Sequence, residues 1–210
     1  MAIEKEDYKY HFFLFLISPA LALAYAIKSR SWTYLRWSIF VFVIFFGSTL
    51  HPSFLGDGET HFLNLVSNYS YISLDQFFYD LRSIFLLNPS GRHVTTEPYA
   101  YVLFVFVGSI LSNPNLLFLF VSIVFGYFYS GAIVRLLQYV NWNSKLNRFY
   151  FFYFLIILLL WQSPANMQSI RNTTALWMLI YAVLSYHQTK NKKYLVLALL
   201  PPFVHIGYIV

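Results

Sequence analysis

Long apolar runs broken by short basic clusters constrain this chain more than any other feature of its sequence. Phe149–Trp161 is apolar at every position, and further runs occupy Phe12–Ile27, Trp37–Leu50, Tyr99–Leu111, Leu116–Val134, Ile170–Tyr186 and the stretch from Tyr194 onward. Hydrophobic residues make up 59% of the 210 and charged residues 10%, where a soluble domain usually carries about a quarter charged. Runs of this kind are expected when lipid replaces water as the solvent, since each span then needs about 20 apolar residues. The runs lack the period-2 alternation of barrel strands, so helices are expected. The sequence predicts an all-α, polytopic transmembrane protein of about six or seven apolar segments. Residues 1–210 read as one domain, with no internal repeat and no low-complexity tract.

The formal charge of +6 would suggest nucleic acid in a soluble chain. Here the cations form short clusters between apolar runs, at Lys28, Arg30 and Arg36, at Arg135, Lys145 and Arg148, and at Lys190, Lys192 and Lys193. They read as topology signals, with the bilayer as partner and no nucleic acid. Positive-inside counting places 28–36, 135–148 and 188–193 in the cytoplasm, but two full crossings between 98 and 134 would put 135–148 outside. One short run, Tyr99–Leu111 or Phe149–Trp161, must therefore be re-entrant or strongly tilted. The chain has no Cys, which excludes disulfides and thiolate metal sites. The His spacing fits neither H-x-x-x-H nor H-E-x-x-H, so no metal or cofactor is expected. The acidic tail before Phe12 favours a retained first helix over a cleaved signal peptide.

All eight carboxylates lie at or before position 97: Glu4, Glu6, Asp7, Asp57, Glu59, Asp75, Asp80 and Glu97. Beyond the tail they fall in a polar segment, 51–98, that opens with Gly56-Asp57-Gly58-Glu59-Thr60-His61. This segment is expected on the outer face. Helical spacing of Phe62, Leu63, Leu65, Val66 and Tyr69 predicts a short helix over Thr60–Asn68. Ser73-Leu74-Asp75-Gln76 has the form of a capping box. The helix behind it, about 74–87, carries a stripe of Leu74, Phe77, Phe78, Leu81 and Phe85 suited to lying in the membrane interface. Ser112-Asn113-Pro114-Asn115 reads as a tight turn.

Arg171 stands at the polar start of a span, on the outer face by the same counting. It is either a snorkelling side chain or a guanidinium held for bidentate contact with phosphate, with Gln168, Asn172 and Thr173 adding neutral hydrogen bonds. Asp57 is either a helix cap or, with Glu59, a carboxylate pair at a low-dielectric boundary suited to general-base work. His205, inside the last apolar run, is either a packing residue or a polar group facing a functional interior. Most aromatic residues read as packing, with Tyr69, Tyr99 and Tyr101 as stacking platforms for sugars.

Taken in succession, Gly56-Asp57-Gly58-Glu59-Thr60-His61-Phe62 after the second span, Glu97-Pro98-Tyr99, Ile170-Arg171-Asn172 with Ala175, Lys192-Lys193 and His205 give a chain that resembles the EpsG family. These are membrane proteins of exopolysaccharide biosynthesis related to Wzy-type polymerases. The chain departs from the family pattern at His51 and His61, near which members carry an Arg and a Tyr. Members are longer, so the resemblance implies that these residues are the N-terminal part of a larger protein. It also implies a GT-C-like helical arrangement in the bacterial cytoplasmic membrane. The expected activity is metal-independent, inverting transfer of a polyprenyl-diphosphate-linked oligosaccharide on the outer face, beside other polysaccharide assembly proteins. On this reading Arg171, helped by Arg92 or Arg82, stabilises the departing diphosphate. Asp57 or Glu59 orients or deprotonates the acceptor and His205 supports them. Glu97, His61, Gln168 and Asn172 join the substrate-binding set. The alternatives are a transporter or flippase of lipid-linked glycans and a non-catalytic membrane subunit.

Overall fold

The computed structural model describes residues 13–29, 31–50, 57–86, 95–139, 153 and 164–208, and every regular element among them is helical. His51, Arg92, His93, Lys145, Arg148 and nearly all of the Phe149–Trp161 run lie outside the described residues. After a helical turn at 13–17, α1 spans Pro19–Ser29, α2 Trp32–Thr49, α3 Asp57–Asn68, α4 Leu74–Phe85 and α5 Pro98–Val105. The chain continues with α6 at Leu117–Tyr139, α7 at Ile170–Thr189, α8 at Lys193–Ala198 and α9 at Pro201–Val204. Among the described residues one segment, Pro114–Gln138, is long and apolar enough to cross a membrane. Helices α2 and α7, with 18 and 20 residues, reach about 27 and 30 Å but carry more polar side chains.

The core of the bundle is α2 against α6, and small residues let the two backbones approach. A Cβ added to Gly47 would stand 2.4 Å from Ser122 Cβ and 2.7 Å from the Phe118 carbonyl oxygen, and one on Gly126 would stand 3.1 Å from Val43 Cγ1. Ser122, Gly126 and Ser130 recur at four-residue spacing on one face of α6, and both serines are buried. Gly47 thus faces the start of α6, while Arg36 faces Gly131 near its end. The two helices are antiparallel.

Helix α7 packs parallel to α6. The Tyr129 ring meets Trp177 edge-on at 4.8 Å, Gly131 leaves room for Tyr181, and Arg135 Nη1 donates to Gln188 Oε1. Lys190, at φ 55°, ends α7 in the left-handed conformation, and α8 turns back so that Tyr194 meets Tyr181. Arg36, Arg135 and Lys193 therefore gather at one end of the bundle.

The chain leaves α2 beside Gly47 and enters α6 at the same end, so residues 50–116 make no net passage along the bundle. The short apolar run in that interval is α5, eight residues, followed by a five-residue π-helical turn, Phe106–Ile110, together about 20 Å. Gly108 in that turn lets the chain pass Tyr69, whose carbonyl oxygen would lie 2.6 Å from an added Cβ. Ser109 Oγ donates to that same oxygen at 2.6 Å and accepts from Ile72 N at 3.0 Å. The tight turn then forms as expected, with Ser112 at φ 50° and Asn113 capping the 3-10 turn Pro114–Leu116.

Helix α3 begins at Asp57, three residues before the expected start. Helix α4 is capped by Ser73, whose side chain accepts from Gln76 N at 3.2 Å, but the reciprocal half of the capping box is absent. Gln76 instead donates forward to Asp80 Oδ1 at 2.5 Å. The expected apolar stripe is divided, with Phe77 and Leu81 packed against the core and its other three members exposed. Asp80, Ser83 and Ile84 are its buried residues, while Leu74, Phe78 and Phe85 are 72%, 64% and 56% exposed.

Because backbone and side-chain atoms both block a methyl group at Gly47, Gly47→Ala is expected to destabilise the bundle by about 1–3 kcal/mol. Gly126→Ala, with contacts only to side chains, should cost less. Unfolding midpoints in detergent check the order, and equal midpoints would contradict this account of the α2–α6 contact.

Candidate functional site

The site is built from Thr95-Thr96-Glu97-Pro98. Pro98 occupies the first turn of α5 and its ring disfavours helical backbone at the residue before it. Glu97 accordingly sits at φ −107°, ψ 124° and makes no cap bond with its side chain. The carboxylate is left to face the bundle, where Glu97 is 2% exposed. A buried carboxylate needs donors, and Glu97 has four. Oε2 accepts from Thr95 Oγ1 at 2.8 Å, Thr96 Oγ1 at 3.2 Å and Arg171 Nη1 at 2.8 Å. Oε1 meets His205 Nδ1 at 3.2 Å.

These partners come from distant elements. Arg171 is in the first turn of α7, and His205 ends α9. The loop at 95–97 is held in turn by Tyr69, whose hydroxyl accepts from Thr95 N at 3.2 Å. One turn further along α5, the Tyr101 hydroxyl donates to Asp80 Oδ2 at 3.0 Å, and Asp80 is 4% exposed. Two buried carboxylates thus flank the start of α5.

Burial of Glu97 pushes its pKa up, but the bonds from Thr95, Arg171 and His205 and the Arg171 charge outweigh it, so the net shift is downward. Glu97 is ionised at neutral pH with its lone pairs occupied. That environment suits a carboxylate that positions Arg171 and His205, and it opposes use as a proton acceptor. Arg171 keeps 32% of its side chain exposed and engages Glu97 through Nη1, which leaves guanidinium donors for a second anion.

Arg171, His205 and Glu97 are therefore brought together. Asn172 lies beside them, its Oδ1 accepting from Tyr208 Oη at 3.1 Å, and the Tyr208 ring is edge-on to His205. The opening motif is a neighbour. A Cβ on Gly58 would stand 2.9 Å from Gln168 Oε1, so the first turn of α3, with Asp57 and half-buried Glu59, abuts the 3-10 turn Pro164–Gln168 that leads to Arg171.

Other expected positions are placed differently. His61 is buried, its ring 5.7 Å from that of Phe104. Arg82 is exposed on the last turn of α4 with no bond to the Glu97 cluster. Tyr69 and Tyr101 are buried, which removes them as sugar platforms. Sequence reasoning did not single out Asp80, because the polar residues of α4 were set aside once its apolar stripe was assigned to the membrane interface. The available signal was an acid four residues after Gln76.

The sign of the pH dependence follows from the lowered Glu97 pKa. Its stabilising contribution is complete above the ordinary value of 4.5 and is lost as pH falls through the depressed folded value. Glu97→Gln is expected to lower stability at pH 7 by about 1–3 kcal/mol and to flatten the acid limb relative to wild type. Parallel acid limbs in thermal unfolding would contradict the assignment. No protein-family profile, curated protein or solved structure matches the chain.

Proposed function

We propose that this is a multi-pass protein of the bacterial cytoplasmic membrane that transfers a polyprenyl-diphosphate-linked glycan in exopolysaccharide assembly. The observation that carries the proposal is an arginine held by a buried, ionised carboxylate at the end of the bundle opposite Arg36, Arg135 and Lys193. By the positive-inside rule those three cations face the cytoplasm, so Arg171 faces the outer leaflet. A positive charge retained there, fixed in place and still carrying donors, suits a lipid diphosphate. The resemblance to the EpsG family supports the glycan as its cargo.

In this reading Arg171 binds the diphosphate and stabilises its charge as the anomeric C–O bond breaks. The departing diphosphate keeps the bonding electron pair, and the acceptor oxygen forms the new bond with inversion. The acceptor proton passes to Asp57 or Glu59, because Glu97 is saturated with donors. Glu97 is a positioning residue, and His205 braces it from the opposite oxygen.

Arg171→Ala is expected to abolish long polymer and to leave single lipid-linked repeat units, with Arg171→Lys restoring little of it. Glu97→Gln should reduce polymer length about ten- to a hundredfold through loss of positioning. The measurement is polymer length on the producing cell together with membrane levels of each variant. Full-length polymer from normally expressed Arg171→Ala would sink the enzymatic reading. Loss of outer-face repeat units in place of their accumulation would point to transport.

A further inference from the structure

A second polar feature lies at the opposite end of the bundle, in a cleft of about 300 Å³ between α2 and α6. Its walls include Trp32, Arg36, Trp37, Tyr127, Arg135 and Gln138. The Arg36 guanidinium lies 4.8 Å from the Tyr127 ring and 5.5 Å from Tyr181, and Arg135 lies 5.3 Å from the same Tyr181 ring. One tyrosine thus separates two cations. Gly131 makes this possible, since a Cβ there would stand 2.6 Å from the Tyr181 ring and 3.3 Å from Arg36 Nη2.

These cations have no carboxylate among the described residues to neutralise them. Among the described residues every Asp and Glu falls between 57 and 97, and the ion pairs all belong to Glu97. Arg135 is satisfied by Gln188, but Arg36 Nη2 is buried without a hydrogen-bond partner. A buried guanidinium nitrogen left unsatisfied is costly. Trp37 and Phe40 also line the cleft; Trp37 is 57% exposed and packs edge-on against Phe40 at 5.5 Å, so exposed apolar rings and cations share its walls.

The geometry points to a built site for the phosphate headgroup of an anionic lipid, with Arg36 as the principal donor, Arg135 supplying the second charge, and Trp37 and Phe40 flanking the glycerol and chains. A lipid is favoured over free phosphate by the exposed aromatic rings that line the cleft with the cations, because aromatic rings and guanidinium groups together match a headgroup–chain boundary. The inference shares only the membrane setting with the proposed transfer reaction. Its readout is lipid binding, so either idea can fail without the other.

The test uses the full chain, purified and delipidated in neutral detergent. Unfolding midpoints are measured with phosphatidylglycerol, with phosphatidylcholine of the same chains, and with inorganic phosphate. Phosphatidylglycerol should raise the midpoint, and the other two should not. Arg36→Gln should bind phosphatidylglycerol about tenfold or more weakly, and Arg36→Lys should keep part of the effect. Should Arg36→Gln not fold, Gln138→Glu, which sets a carboxylate in the cleft, should abolish the lipid shift with the fold retained. An equal shift in wild type and in whichever of these two variants folds would overturn the site. A shift reproduced by inorganic phosphate would overturn the lipid as its occupant.

Discussion

The buried carboxylate of Glu97 is the interaction on which the arrangement of the chain depends. A charge at 2% exposure is stable only when its partners are fixed, because desolvation is offset only through bonds of good geometry. Those bonds tie the 95–97 loop to the start of α7 and to the end of α9, elements 74 and 108 residues away. The same requirement explains why α9 breaks from α8. Pro201 and Pro202 interrupt the last apolar run, and the offset brings His205 to Oε1.

A second consequence concerns α4. Asp80 is held by the Tyr101 hydroxyl and the Gln76 amide, so Asp80, Ser83 and Ile84 turn inward and Leu74, Phe78 and Phe85 turn outward. In water an exposed aromatic stripe of this kind would be a liability. On the proposed membrane reading, lipid would cover these side chains, so satisfying the buried acid and covering the stripe would pull in the same direction.

The two ends of the bundle are chemically distinct for a related reason. Small residues on α6 bring α2 close along its length, which excludes charge from the middle and sends it to the ends. Cations at one end rest on tyrosine faces, as Arg36 and Arg135 do on Tyr181. The cation at the other end is held by a carboxylate. Arginine on an aromatic face stays available to anions, whereas Arg171 is anchored and oriented by its ion pair.

Much of this was legible in the sequence. The capping box at Ser73 marked the start of α4 and Ser112-Asn113-Pro114-Asn115 the turn before α6, because local propensity and hydrogen bonding act over a few residues. The basic clusters identified one end of the bundle, and the short Tyr99–Leu111 run marked where a full crossing was in doubt. Arg171 and His205 stood out as polar groups at or inside apolar runs, and Glu97 entered only through the resemblance, as a substrate-binding residue. Their pairing was not legible, since Asp57, Glu59 and Glu97 offered Arg171 equivalent charges. Only the tertiary structure chose Glu97, because Pro98 fixes its backbone at the start of α5 and the α5–α7–α9 packing sets that carboxylate within 2.8 Å of the guanidinium. Periodicity found the apolar stripe of α4 but not the inward turn of Asp80, which was decided by a hydrogen bond from Tyr101, distant in sequence.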